Sequence, residues 1–367
     1  MFEKKKILIL EDSKQSVFGG GQVITARLIT ALQNNVDLFD TASGASFPVM
    51  PVKILNRPAS ILGKKQAMNV DFMLLLKLIF ALVKSNLVIL LHLVLNRSKY
   101  SHIYTPTKFG LLSAFLSRII LRIPVVFHAH NVFDNDRKTR LFFFLLKIIA
   151  TMTISVSKTV SLSMPKTLKK VVVYNPIKKS GCQLRTPDEN NVYAVVGNFM
   201  PYKGHEFLLN ELNCCKHFSA DDLELRFYGD GPLSDGLKMV AEQCDFNVKF
   251  MGFCKDMDHQ YSEIDCLIIP SLQPEAFSLV IGEAWCNNTF VIASDLGAHS
   301  ELIEHGKNGL LFAPSIPGDL CKTLMSLKKI SQKNKLRMLK NARDKVDSLS
   351  ISSFENEIRK IFWSENL

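Results

Sequence analysis

The chain has 367 residues, with 45 Lys and Arg against 34 Asp and Glu, for a formal charge of +11. Hydrophobic residues make up 47% and charged residues 22%, with 18 Gly and 14 Pro, which excludes a disordered, collagen-like or low-complexity chain. At roughly 100–200 residues per domain, this length implies two domains, each large enough to bury a core.

The predicted elements alternate strand and helix. Lys6–Leu10 reads as a strand, followed by the glycine run Gly19-Gly20-Gly21 and a helix from about Val23 to Leu32. His102–Thr105, Val125–His128, Thr153–Val156 and Val171–Tyr174 are further short apolar strands. The breaker-rich Asn175–Gly181 then reads as a linker. The pattern restarts with strands at Val192–Val196, Glu224–Tyr228, Val248–Met251, Cys266–Ile269, Phe290–Ala293 and Leu310–Phe312. Continuous apolar runs of this kind suit parallel sheets covered on both faces by helices. The expected fold class is α/β, two Rossmann-like, doubly wound domains. The expected boundaries are 1–180, 181–345 and a C-terminal helix over 346–367 that packs back toward the first domain.

The eight cysteines begin only at Cys182 and form no C-x-x-C spacing, so neither a disulfide framework nor a zinc cluster is expected. Most are read as small buried hydrophobes in a reducing compartment. Met1-Phe-Glu-Lys-Lys-Lys runs straight into a strand without the apolar region of a signal peptide, so the expectation is a cytoplasmic protein.

In doubly wound folds ligands sit beyond the carboxyl ends of strands, so residues just after strands carry the functional interest. Gly20 and Gly21 can let backbone amides approach a phosphate at a helix N-terminus, although such turns are common without a ligand. His128 and His130 end a strand together; paired imidazoles can ligate zinc, but no third ligand stands at sensible spacing. Lys203, in Val196-Gly197-Asn198-Phe-Met-Pro-Tyr-Lys203-Gly204, can neutralise a diphosphate, and a cation at a helix start is otherwise misplaced. The turn Tyr228-Gly-Asp-Gly-Pro232 reads as structural. In Pro274-Glu275-Ala-Phe277-Ser278-Leu279-Val-Ile-Gly-Glu283, Glu275 lies in a loop and Ser278 caps a helix that carries Glu283 one turn in.

The order and spacing of these segments resemble the family-4 glycosyltransferases of GT-B fold over nearly the whole length, most strongly from Val192 to Phe312. Glu275 and Glu283 have the separation of that family's two donor-binding acids. Gly252, Gly297-Ala-His-Ser-Glu301 and Asn308-Gly309 match further landmarks. The resemblance implies that the two domains face each other across a cleft and that a sugar moves from a nucleoside-diphosphate donor with retention of configuration. It implies no metal and no other cofactor. By it, Glu283 binds the donor ribose, Glu275 the donor sugar, and the amides of Phe277, Ser278 and Leu279 the diphosphate. Gly252 and Phe253 flank the base, Gly20 and Gly21 lie near the phosphate and the acceptor, and His130 meets the sugar at the reaction centre. Where the family usually carries an Arg, this chain has Asn198, which brings no charge to a diphosphate. A sugar-nucleotide epimerase of the same fold and an inactive sugar-nucleotide-binding module are the alternatives.

The charge is uneven. Residues 51–180 carry 21 Lys and Arg against three acids, whereas 181–367 carry 19 against 26. The basic residues of the first half sit among Leu, Ile and Phe, as in Phe72–Lys84 and Leu141–Ala150. That composition suits anionic lipid headgroups better than nucleic acid, and equally a core helix with solvated lysines. Lys77, Lys84, Asn86 and His92 interrupt Phe72–Asn96 too often for a membrane span. The expected partners are therefore a nucleotide sugar, a lipid-linked or oligosaccharide acceptor and the inner face of the cytoplasmic membrane, with no nucleic acid.

Overall fold

The structure, a computed structural model, describes residues 5–11, 20–33, 35–40, 53–54, 72–107, 110–179, 181, 184, 191–215, 223–254 and 256–363. The chain divides into two compact units: residues 1–175 with 351–367, and residues 176–350.

In the first unit, β1 (Lys6–Leu10), α1 (Gly20–Ala31), β2 (Val36–Asp40), β3 (Lys53–Ile54) and α2 (Phe72–Leu95) come first. Next are β4 (Tyr100–Thr105), α3 (Leu111–Ile120), β5 (Val125–Ala129), α4 (Arg137–Ile149), β6 (Met152–Ser155), α5 (Lys158–Leu162) and β7 (Lys170–Val172). The strands form one parallel sheet in the order β3-β2-β1-β4-β5-β6-β7. The central strands β1, β5 and β6 are buried on both faces, which explains their apolar runs. Asp136 and Ser157 cap α4 and α5, accepting from the amides of Thr139 and Val160.

β2 escapes a reading by apolar runs because Val36-Asp-Leu-Phe-Asp40 carries two acids, a residue type depleted in strands. Asp37 is tolerated there because Lys6, Lys99 and the Tyr100 hydroxyl surround it. Burial alone raises its carboxyl, but these three partners outweigh burial and hold it at about 2.

The second unit contains β8 (Val192–Val196), α6 (His205–Cys214), β9 (Glu224–Tyr228), α7 (Ser234–Ala241), β10 (Asn247–Gly252), α8 (Asp258–Ser262) and β11 (Cys266–Ile269). It continues with α9 (Leu279–Cys286), β12 (Phe290–Ser294), α10 (His299–Leu302), β13 (Leu310–Phe312), α11 (Asp319–Lys329) and α12 (Gln332–Ser348). Its sheet is parallel in the order β10-β9-β8-β11-β12-β13. The strand order reverses between β1 and β4 in one unit and between β8 and β11 in the other; such reversal points are where doubly wound sheets bind ligands.

The expected boundary after residue 345 falls inside α12, where Val346 is still core; the chain leaves the second unit after Ser350. It re-enters the first as α13 (Ile351–Trp363), which packs on α1 and sends Phe354, Ile358, Ile361 and Phe362 into the core around Ile7, Ile24 and Ile154.

Cys266 and Cys286 are buried, as expected, and Cys215 and Cys321 meet within the core of the second unit. They lie 106 residues apart, and the packing of α11 on α6 brings their Cα atoms to 6.2 Å, a proximity that sequence spacing does not encode.

Candidate functional site

Two strands flank the reversal point of the second sheet, and a loop from each supplies one member of an ion pair. After β8 the chain turns through Gly197 and Asn198 into a 3₁₀ turn, Pro201–Lys203, and then α6. Gly204 between them has φ 73°, and a Cβ there would lie 1.8 Å from the carbonyl oxygen of Pro270, just past β11. Only glycine allows that contact. The amide of Leu272 donates to the Tyr202 carbonyl at 2.8 Å and ties the two loops again.

With the loops fixed in this way, Lys203 Nζ lies 2.8 Å from Glu275 Oε1. The Glu275 side chain is 10% exposed and that of Lys203 25%. The Glu275 backbone is also fixed: it bridges Gly297, and its carbonyl accepts from the Ala298 amide at 2.9 Å. Gly297 has φ 62°, and a Cβ there would meet the Glu275 backbone at 2.5 Å. The buried Ser271 hydroxyl donates to the same Oε1. Burial pushes the Glu275 carboxyl up, but the Lys203 charge, His299 and the bonds from Lys203 and Ser271 outweigh it and leave the acid below its ordinary range.

His299, fully buried at the start of α10, directs Nε2 at Glu275 Oε1 from 3.8 Å. Burial pushes its imidazole down, and nearby Lys203 adds to that, against the pull of Glu275. Ser271 is not marked by the sequence reading, and His299 enters it only within the landmark Gly297–Glu301, with no role of its own; both lie within five residues of a strand's carboxyl end.

Glu283 sits on α9 and accepts from the buried Tyr261 hydroxyl at 3.3 Å. Ser278 occupies the N-cap position of α9, but its side chain makes no capping bond. Phe277 and Leu279 flank it, as expected from the motif. Gly252 ends β10 with φ 72°, and Phe253 beyond it is 79% exposed, a large apolar ring presented to solvent. Asn198 is exposed. The Gly229 and Gly231 positions pack against the backbone of Gly197 and Phe199, so that turn buttresses the 197–199 segment.

In the first unit, Gly20 and Gly21 form the first turn of α1 rather than a preceding loop, and Gly19 lies outside the described residues. A Cβ on Gly21 would lie 3.9 Å from the His130 ring, so these two expected site residues are neighbours. The His130 ring lies against that of His128, tilted by 37° with 4.1 Å between centroids, and His128 Nδ1 meets the Tyr104 hydroxyl at 2.8 Å. Burial holds the His130 imidazole down at about 4, hence neutral. Glu11, directly after β1, is buried too; burial raises its carboxyl to about 7, with Asp40 adding to the rise and Thr25 opposing it. Among the described residues, no group of three or more His, Cys, Asp or Glu can hold a metal ion.

A strand-reversal site with a Lys–Glu pair invites comparison with known proteins. Residues 190–329 match the family of glycosyl transferases group 1. The chain is 27% identical over 217 residues to an uncharacterized glycosyltransferase of Methanocaldococcus jannaschii, MJ1178, covering 56% of this chain and 59% of that one. It is 23% identical to CapH of Staphylococcus aureus, a capsular polysaccharide biosynthesis glycosyltransferase, covering 61% and 62%. The matches thus span about three fifths of those relatives' lengths. Among solved structures, Anabaena HepE in complex with UDP-glucose superposes with TM-score 0.75 at 21% identity, covering 98% of this chain and 99% of that one. TarM superposes with TM-score 0.74 at 13% identity. The fold is the expected two-domain α/β GT-B fold.

Proposed function

We propose that the protein is a retaining, metal-independent glycosyltransferase that moves a hexosyl group from a nucleoside-diphosphate sugar to a glycan or lipid-linked acceptor in cell-surface polysaccharide synthesis. The observation that carries this reading is the Lys203–Glu275 pair, held by glycine-dependent loop contacts at the strand reversal of a group 1 domain. The CapH relative and the UDP-glucose complex of HepE support the pathway and the donor class.

The chemistry follows from charge. As the glycosidic bond to the diphosphate breaks, negative charge grows on the leaving group and positive charge on the sugar. Lys203 and the amides of Phe277, Ser278 and Leu279 stabilise the first. Glu275, with its depressed pKa, is ionised and serves the second. Glu283 takes the ribose and Gly252 with Phe253 the base. In the first unit, Gly20, Gly21 and neutral His130 serve the sugar and the acceptor.

The first unit also fits an anionic membrane surface. α2 packs on α3 and α3 on α4; Phe80, Leu87 and Leu91 on α2 and Leu141, Phe144 and Ile148 on α4 are exposed, beside exposed Lys84 and Lys147. No described helix is long and apolar enough to cross a membrane. Apolar side chains with flanking cations suit peripheral attachment to the inner leaflet.

The test is a thermal-shift screen of nucleotide sugars, followed by transfer to a polyprenyl-diphosphate acceptor on anionic liposomes. Stabilisation by one donor and acceptor-dependent turnover are expected. Donor conversion to free sugar without acceptor, or tight binding with no turnover, overturns the reading.

A further inference from the structure

His299 is a buried histidine whose two ring nitrogens face different chemistry. Nδ1 lies 2.9 Å from the Ser294 carbonyl oxygen, an acceptor only, so Nδ1 carries the proton of the neutral ring. Nε2 is then a bare lone pair, fully buried and without a hydrogen-bond partner among the described residues, and it faces Glu275 Oε1 from 3.8 Å. Two acceptors confront each other; the Ser271 hydroxyl donates to the same oxygen, and the Lys203 ammonium, 2.8 Å from it, supplies the positive charge that makes the arrangement favourable. The charged groups around the ring are Glu275 from the loop after β11, Lys203 from the turn after β8, and Asp295 at the end of β12.

We propose that Glu275 and His299 form a proton-exchanging pair: when a diphosphate draws the Lys203 ammonium off Glu275, His299 Nε2 takes one proton from solvent and replaces Lys203 as the partner of the carboxylate. His299 is thereby a positioning residue for Glu275. The exchange keeps the acid ionised and oriented while Lys203 serves the phosphates, and the net charge around Glu275 is unchanged. This rests on the nucleoside-diphosphate reading above, but its first half concerns Lys203, Glu275 and His299 alone.

The experiment therefore has two arms. Protein labelled with ¹⁵N-histidine reports the His299 imidazole, assigned by its loss in His299→Gln. The free protein shows a neutral ring protonated at Nδ1 near pH 7, and Lys203→Met raises the titration midpoint, with proton affinity up by about tenfold. Lys203→Gln serves as the second variant if Lys203→Met fails to fold. An unchanged or lower midpoint overturns the proposal. In the second arm, UDP is titrated by calorimetry in buffers of different ionisation heat. Proton uptake on binding is expected in the parent protein and absent in His299→Gln. Undiminished uptake in that variant assigns the proton elsewhere and overturns the exchange. If UDP gives no heat while Lys203→Met still raises the midpoint, the proton pair stands and the donor reading fails.

Discussion

The ammonium of Lys203 rests 2.8 Å from a carboxylate oxygen of Glu275, 72 residues further along the chain. Two glycines make the meeting possible, one at each partner's loop. Gly204 brings the turn after β8 onto Pro270, and Gly297 brings the loop after β12 onto the Glu275 backbone.

Glu275→Ala is expected to lower kcat by at least about a hundredfold, the scale for losing one well-placed electrostatic group. Initial rates with donor and acceptor, alongside an unchanged circular dichroism spectrum, check it. Retained turnover rejects the role of Glu275.

His130→Ala should reduce turnover far more than donor binding, because a residue placed at the reacting sugar acts chiefly in the transition state. Comparing kcat with the donor dissociation constant decides the matter; equal losses in both contradict the assignment.

Asn198→Arg introduces a guanidinium at an exposed position of the turn that also carries Lys203. A charge-assisted bond to a diphosphate contributes on the order of 1 kcal/mol, so donor affinity should rise about fivefold. Unchanged affinity places the diphosphate elsewhere.

Gly204→Ala drives a methyl group into the Pro270 carbonyl at a left-handed backbone position. We expect about 2–3 kcal/mol of destabilisation from the clash and the strain together, read from the urea midpoint, and a loss of activity from displacement of Lys203.

Glu11 gives a pH prediction. Its folded pKa, about 7, lies above the ordinary value of 4.5, so the folded state holds the proton more tightly than the unfolded chain. The associated stability is full below pH 4.5 and is lost as pH rises through 7. Glu11→Gln should therefore be more stable than the parent at pH 8, by about 1–3 kcal/mol, and closely matched to it at pH 4. Chemical denaturation at both pH values measures the difference.

Much of this was legible in the sequence because buried parallel strands are unbroken apolar runs. β1, β8, β9, β11 and β13 begin and end at the residues their hydrophobicity marks. Lys203 and Glu275 were legible too, since each follows a strand end in a spaced motif. β2 was not, because its two acids hide a fully buried strand whose charge is balanced from β1 and from the residues entering β4. Ser271 and the role of His299 were hidden differently. Serine and histidine are ordinary loop residues, and only the convergence of segments from β8, β11 and β12 gives them a common neighbour. The proximity of Cys215 to Cys321 likewise depends on helix packing across 106 residues.

The return of α13 to the first unit sets an order of assembly. Residues 176–350 are contiguous and can complete their core as soon as they leave the ribosome. The β1 sheet, although synthesised first, must wait for Phe354, Ile358, Ile361 and Phe362 before its apolar face is sealed. The earlier-made half is thus the later to mature, and until then it is the half a chaperone has reason to hold.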